Sequence, residues 1–413
     1  MRNWYGSWVI VLIILLIDFY VYYVIRTVFA GDRSRMTFTY IYWTVSVGML
    51  AFIVSFPAIH YFEAHIILRS YIFAIILGIL FAKLIGAVFF LADDIRRGFL
   101  WIMSKTFYKT GVDFTPTETT ISRSVFLTWT GIAMGSGLFA SLLYGFSNKY
   151  DYQVKKVKLT FANLPQAFRG LRILHISDIH SGSFTNKEAV NKGVDMALAQ
   201  KADIILFTGD LVNDKAIEMK DYMDVFSRIT APMGVYSTLG NHDYGDYTSW
   251  PSPEAKMQNL EDLKEVEAKL GWKLLMNEHV ILEKKGEKIA LIGIENWSAF
   301  GSFPKYGKLK EAYTGTEEYP FKILMSHDPS HWDAQIRPEF PDIDLTLSGH
   351  THGMQFGVEN PYFKWSPVQW FYKEWAGLYE EKNQKIYVNR GWGFIGYPGR
   401  VGILPEITLI ELA

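Results

Sequence analysis

The segment LSGHTHGMQFG, residues 347–357, places two histidines two positions apart, His350 and His352, in a glycine-flanked turn directly after a short apolar run. Taken alone the pair has an ordinary explanation, two rings at a strand end that pack or face solvent. The alternative is metal ligation, and it depends on whether the rest of the chain brings partners to the same place.

Partners are present. Short apolar runs of strand length recur at Arg172–Ser177, Asp203–Thr208, Val235–Leu239, Ile289–Ile294, Lys322–Ser326, Asp344–Ser348, Ile386–Asn389 and Ile407–Leu412. Helical patterns fill the gaps at Asn186–Gln200, with Glu188 in its first turns, and at Pro253–Leu270. EKKGEK, residues 283–288, reads as a solvated hairpin turn. The alternation predicts α/β layering. Five of the ten histidines fall just beyond predicted strand ends, each beside another possible ligand. RILHISDIHSG supplies Asp178 and His180, and IILFTGDLVND supplies Asp210 and Asn213. VYSTLGNHDYG supplies Asn241, His242 and Asp243, ILMSHDPSHW supplies His327, and LTLSGHTHG ends in the opening pair. Ligand sites of open α/β sheets lie outside the carboxyl ends of strands, so these segments are expected to converge.

Carboxylates, imidazoles and one amide oxygen, with no thiolate, favour borderline-to-hard ions such as Mn, Fe or Zn. Residues i and i+2 of an extended segment point the same way, about 6 to 7 Å apart. That spacing suits Asp178 and His180 on one ion, and lets His350 and His352 reach two ions roughly 3.5 to 4 Å apart. Asp210, with two oxygens, is able to bridge.

The ordered blocks D-x-H, G-D-x-x, G-N-H-D, a lone His and G-H-x-H resemble those of calcineurin-like metallophosphoesterases over about residues 151–413, and the ending NRGWGFIGYPGRVGILPEITLIEL resembles that of a membrane-associated bacterial branch. The resemblance implies a four-layer α-β-β-α sandwich and a site with two divalent or trivalent ions. One ion would take Asp178, His180, Asp210 and His352; the other would take Asp210, Asn241, His327 and His350. A metal-bridged hydroxide would attack phosphorus in line. His242 would stand beside the ions to stabilise charge or protonate the leaving oxygen, with Asp243 and Asn213 orienting neighbours. The chain departs from the family pattern twice. Asn213 stands where many members carry Asp, which puts a carboxylate behind His242 in doubt, and Met354 replaces the second glycine of GHTHGGQ.

The first 149 residues are a different kind of chain. Trp8–Ala30, Phe38–Ile59, Ser70–Ala92 and Ser124–Phe146 are apolar runs of 22 or 23 residues, with Asp18, Arg26 and Lys83 their only charges. About 20 such residues cross 30 Å of hydrocarbon, so four transmembrane helices are expected at 1–149 and the catalytic domain at 150–413. The long apolar stretch and the three spans after it argue against a cleaved signal peptide. Asp18 and Lys83 are costly at membrane depth unless paired or snorkelling. Gly131 and Gly135 form a small-xxx-small pair. A net charge of −1 argues against a nucleic-acid partner, and the absence of cysteine excludes thiolate chemistry.

Trp365, Trp370, Phe371, Tyr372 and Trp375 crowd residues 361–379. Aromatic girdles favour membrane interfaces, so Trp370 and Phe371 are expected either to touch lipid and admit a lipid-linked substrate or to cover the sandwich. Arg390 and Arg400 are candidates for substrate phosphate, with structural ion pairs the alternative. His175 reads as a core residue, His331 as a surface or cleft residue, and His60, His65 and His279 have no evident partner. The leading function is a membrane-anchored dinuclear-metal phosphoester hydrolase of the phosphodiesterase or pyrophosphatase type, acting on a lipid-linked substrate. The alternatives are a hydrolase of soluble phosphomonoesters or nucleotides, and a non-catalytic scaffold with a leftover site. Arg33, Arg35, Arg96, Arg97, Lys105, Lys109 and Arg123 face one side of the membrane. Arg2, Arg69, Lys149, Lys155, Lys156 and Lys158 face the other, so the catalytic domain is expected outside the cytoplasm by a thin margin.

Overall fold

The computed structural model describes residues 4–55, 65–107 and 123–413. Arg2, His60, Lys109 and the last residues of the second apolar run lie outside them. The chain divides into two compact units, Met1–Tyr144 and Gly145–Ala413.

Four helices of the first unit are long and apolar enough to cross a membrane. These are α1 (Trp4–Arg26), α2 (Asp32–Ser55), α3 (Ile66–Phe107) and α4 (Val125–Gly145). The expected span Ser70–Ala92 is only part of α3. Nothing between Ala92 and Phe107 breaks a helix, and Arg96–Asp93 and Arg97–Asp94 pairs one turn apart support its continuation. At 1.5 Å per residue its 42 residues span about 63 Å, twice the hydrocarbon thickness. Lys83 and Asp18 pair at 2.6 Å, and the same ammonium donates to Ser46 Oγ at 2.8 Å. Gly131 and Gly135 let α4 close on α3: a Cβ at Gly135 would meet the Ala82 carbonyl oxygen at 2.5 Å.

The second unit is a four-layer sandwich. One sheet runs β1 (Gln153–Leu159), β14 (Glu406–Leu412), β2 (Arg172–Ile176), β3 (Ile204–Phe207), β4 (Val235–Ser237), β5 (Lys273–Leu274). The other runs β12 (Gly377–Glu381), β13 (Gln384–Val388), β9 (Leu345–Ser348), β8 (Lys322–Met325), β7 (Glu287–Gly293), β6 (Glu278–Lys284), and β10 (Val358–Asn360) with β11 (Phe363–Trp365) forms a separate two-stranded ribbon. Strands β2 to β5 are mutually parallel, as are β7, β8, β9 and β13. The carboxyl ends of the central strands of each sheet therefore lie along one edge. Ile173, Ile204 and Leu206 of one sheet meet Leu291, Ile323 and Leu345 of the other in the middle layer. The outer faces are covered by helices: Leu174 and Phe207 pack with Val190, Val194 and Leu263, and Leu324 and Val388 pack with Trp332 and Ile336.

Local sequence explains the elements. Asn186 caps the helix Lys187–Leu198 by accepting from Ala189 N, and Ser252 caps Pro253–Leu270, which stops at Gly271 in the left-handed conformation. Lys285 and Gly286 both have positive φ in the β6–β7 hairpin, as a two-residue type I′ turn requires. Residues 145–149, assigned by sequence to the membrane part, pack within the second unit. Arg400 N donates to Gly145 O at 2.9 Å, and the Lys149 ammonium lies 5.3 Å from the Phe394 ring.

Candidate metal centre

The turns that follow β2, β3, β4, β8 and β9 carry seven oxygen or nitrogen side chains to one place. Five of them, Asp178, His180, Asp210, His350 and His352, have φ between 49° and 69°. Non-glycine residues rarely adopt this region, and each such position costs on the order of 1 kcal/mol, held in place by the surrounding structure. The strain aims side chains back across the strand ends. Two glycines make room for it: a Cβ at Gly349 would lie 2.1 Å from Asp178 Oδ2, and one at Gly240 would lie 2.2 Å from Asp210 Oδ1.

The donors form two sets, Asp178/His180/His352 and Asp210/His327/His350. In the first, His180 Nε2 faces His352 Nε2 at 3.0 Å, and His352 Nε2 lies 3.3 Å from Asp178 Oδ1. In the second, His327 Nε2 is 3.3 Å from His350 Nδ1, which lies 2.7 Å from Asn241 Oδ1. Asp210 Oδ2 joins the sets, 3.0 Å from His327 Nε2 and 3.6 Å from His180 Nε2.

The supports behind these donors orient them. His327 Nδ1 donates to Thr208 O at 2.7 Å, which leaves Nε2 free to face the site. Asn241 donates its amide to Tyr247 Oη, turning its oxygen inward. Asp243 is buried and accepts from the backbone N–H groups of Asp210, Leu211 and Gly240, each at 2.8 Å, so it shapes the loop that carries Asp210. His242 Nδ1 donates to the backbone oxygen of Asn213 at 2.8 Å. The side chain at 213 is not what orients His242, because a main-chain carbonyl does that work whatever residue stands there. The His242 ring sits 5.0 Å from that of His180.

Charge on these groups points to a cation. Burial pushes His180 down to about 3 and His350 to about 4, and His352 is lowered by burial, His180 and Arg400. All three are neutral imidazoles, the form that ligates metals. Burial pushes Asp178 up to about 6. Burial opposes charge on Asp210 and His327 too, but their mutual attraction wins, holding Asp210 well below the usual range and His327 up to about 10. A proton between them occupies the region that a divalent cation would neutralise better, since Asp178 and Asp210 are otherwise two buried carboxylates. The donor set fits metal ions.

The two arginines proposed for substrate phosphate are engaged elsewhere. Arg390 is buried and pairs with Glu406, and with Glu359 at 2.7 Å. Arg400 is fully buried and donates to the carbonyls of Arg390, Gly391 and Gly393, with Nη2 3.1 Å from His352 Nδ1. Both are committed to the buried tail, and Arg400 backs a candidate ligand. His331 is likewise buried, between Ser326 and Gln335, rather than at the surface. Trp370 and Phe371 are 70% and 62% exposed, whereas Trp375 is buried. Tyr372 turns inward, its hydroxyl 2.8 Å from His350 Nε2. Asp328, which directly follows His327, lies 3.5 Å from the same nitrogen; in the sequence neither it nor Tyr372, one aromatic residue among several, carries a signal of that contact.

Residues 171–354 match the family model described as calcineurin-like phosphoesterase, and residues 1–149 match one described as a probable calcineurin-like phosphoesterase transmembrane domain. The chain carries a calcineurin-like phosphoesterase domain. Among curated relatives, a zebrafish (Danio rerio) transmembrane protein with metallophosphoesterase domain is 30% identical over 63% of this chain and 57% of its own length. The chain thus spans little more than half of that relative. The uncharacterized metallophosphoesterase YkoQ of Bacillus subtilis is 28% identical over 67% of this chain and 96% of its own. The phosphodiesterase YaeI of Escherichia coli is 27% identical over 58% and 82%. The phosphoesterase domain thus follows four helices of transmembrane length and composition.

Proposed function

We propose that the chain is a membrane-anchored, metal-dependent hydrolase of phosphodiester or pyrophosphate bonds, acting on a substrate with an apolar, lipid-linked arm. The observation that carries the hydrolase reading is the pair of buried donor sets that meet at Asp210. Asp178, His180, Asp210 and His352 would hold one ion, and Asp210, Asn241, His327 and His350 the other. Two bound divalent ions would supply Lewis acidity and a water of near-neutral pKa. The chain's own residues do the rest. His242, half-buried with Nδ1 fixed, turns Nε2 to a phosphoryl or leaving-group oxygen, to which it donates as the doubly protonated ring. Asp243 keeps Asp210 in its strained conformation. Similarity to a protein named phosphodiesterase supports diester over monoester chemistry.

The lipid arm rests on what surrounds the donors. Phe303 lies edge-on to His350 at 4.7 Å, Tyr247 lies 4.6 Å from His242, and Phe300 lies 4.9 Å from Tyr372. Tyr362, Phe363, Trp370 and Phe371 are all more than half exposed, large aromatic side chains of the kind that suit a membrane interface. We place the catalytic domain outside the cytoplasm on the balance of basic residues in the short loops.

The test uses full-length protein in detergent with Mn²⁺. Bis(4-nitrophenyl) phosphate and a phospholipid in mixed micelles should both be cleaved, with the lipid preferred in kcat/KM and both activities abolished by chelation. Trp370→Ser with Phe371→Ser should lower lipid turnover roughly tenfold and leave the soluble diester unchanged. Equal loss on both, or faster cleavage of 4-nitrophenyl phosphate than of either diester, would favour a soluble monoester or nucleotide. No turnover despite bound metal would leave the scaffold reading. Orientation is read by installing Glu283→Cys, at an exposed position near the end of β6, in the cysteine-free chain and labelling intact cells with an impermeant maleimide; labelling only after lysis reverses the assignment.

A further inference from the structure

His350 approaches the site through Nδ1, which faces Asn241 Oδ1 and His327 Nε2. With an ion held at Nδ1, the other nitrogen carries the proton of the neutral ring, and that proton needs an acceptor. Tyr372 Oη sits 2.8 Å away. A phenol that accepts from histidine donates onward, and Asp328 Oδ2 is the neighbour, 3.4 Å from Oη and 3.5 Å from His350 Nε2. Asp328 is buried, and its other oxygen accepts from Ser330 N at 2.8 Å. The result is a directed chain, His350 Nε2–H to Tyr372 Oη–H to Asp328. The rings of Phe303 and His327 stand edge-on to it at 4.7 and 5.2 Å, and its backbone is strained at φ 69°.

Tyr372 belongs to a braced segment. Its N–H and that of Phe371 both donate to Val368 O at 2.9 Å, and Val368 packs with Trp375, Ala376 and Ile403. Ser366 Oγ caps the turn and donates to Gly353 O at 2.8 Å, in the same loop as His352. The hydroxyl is thus delivered from a small independent core.

We propose that Tyr372, backed by Asp328, is a positioning residue that fixes the orientation of His350 and so sets the affinity of the ion held by Asp210, Asn241, His327 and His350. This rests on the two-ion reading above. Outer partners of metal-bound histidines typically contribute 10- to 100-fold in metal affinity, and here a tyrosine stands between histidine and carboxylate. The segment with the exposed aromatic edge then has two jobs: Trp370 and Phe371 face outward, and the next residue holds a ligand.

The experiment compares full-length wild type, Tyr372→Phe and Asp328→Asn, stripped of metal and titrated with Zn²⁺ against a fluorescent chelator. Tyr372→Phe keeps the ring on Phe300 and removes only the hydroxyl. The expected result is two equivalents in all three proteins, one with unchanged affinity and one weakened about 10- to 100-fold in both variants. Thermal melting of the metal-free proteins should coincide, because positioning of a ligand leaves apo stability in place. Tyr313→Phe, which breaks a comparable bond to Asp342 at the opposite strand ends, should bind as wild type does. Two equivalents with unchanged affinities in both variants would overturn the proposal and leave the two-ion reading standing. A wild type that takes up only one equivalent would remove both. If Tyr372→Phe melts early, Asp328→Asn decides alone.

Discussion

The two units bury charge in opposite ways. In the membrane unit the carboxylate of Asp18 meets the ammonium of Lys83, with Ser46 Oγ and the Tyr42 ring completing the cation's surroundings. The charges cancel within the chain. In the phosphoesterase unit Asp178, Asp210 and Asp328 are buried among histidines, three of which burial keeps neutral. That cluster holds more negative charge than its own side chains offset, and it is built on strained backbone. A closed pair stabilises a fold only if both members stay. An open cluster asks for a cation from solution, and that is the physical difference between a structural ion pair and a metal site.

Removing the bridge should give the largest effect. Asp210→Asn keeps the shape and takes away the negative charge shared by both donor sets. We expect diester hydrolysis to fall at least 10³-fold, about 4 kcal/mol of transition-state stabilisation, with metal content by mass spectrometry falling below one equivalent. Retained content and retained rate would mean that the two sets do not share a carboxylate. Chelation of the wild type should lower the melting temperature, and Mn²⁺ should restore it.

Breaking the closed pair comes next. Lys83→Met leaves Asp18 buried and unpaired, at a cost of about 3 kcal/mol in detergent unfolding. The double variant Asp18→Asn/Lys83→Met should recover most of that loss, because it removes the uncompensated charge. The loss and its recovery should be the same with and without chelator. If Lys83→Met alone is neutral, the carboxyl of Asp18 reaches water and the pair is not closed.

His242→Gln separates ligation from chemistry. The ring lies beside His180 without belonging to either donor set. Hydrolysis should fall about 100-fold, with two equivalents of metal retained and an unchanged melting temperature. Loss of metal in this variant would make His242 a ligand and redraw the site.

What the sequence disclosed follows from the range of each interaction. The blocks around Asp178, Asp210, Asn241, His327 and His350 lie where a parallel strand must end, and strand ends are visible as apolar runs closing on glycine or a polar pair. Convergence follows from topology, so the cluster was legible. The outer strands were not: β1, QVKKVKL, carries three lysines because it is an edge, paired only with β14, and its polar face dilutes the apolar signal. The roles of Arg390 and Arg400 were also hidden. Guanidinium chemistry serves a phosphate or a buried Glu406 equally well, and only the return of β14 beside β2 decides it. Tyr372 was obscured in the same way, since one aromatic run sends Trp370 outward and the next hydroxyl inward.

The smallest prediction sharpens the contrast from a third buried group. Glu267, on the helix Pro253–Leu270, is fully buried and bonded to Ser237 Oγ, and burial pushes it up to about 8. Among the described residues it has neither a cation, as Asp18 has, nor a site for one, so it answers burial by keeping its proton. The sign follows from linkage. The folded state holds a proton that the unfolded chain releases above the ordinary carboxyl range. The stability this contributes is complete below that range and is lost as pH rises towards 8, at up to about 1.4 kcal/mol per pH unit. Glu267→Gln cannot titrate. Its melting temperature should therefore exceed that of wild type by an amount that grows between pH 5 and pH 8, with about 1 kcal/mol gained from pH 6 to 7. Asp243, pushed up to about 7 by burial and by Asp210, adds its own slope to both proteins, and its charge adds to the burial that raises Glu267. A constant difference across that range would mean that Glu267 is ionised in the fold, a second place where this unit buries carboxylate charge without a paired cation.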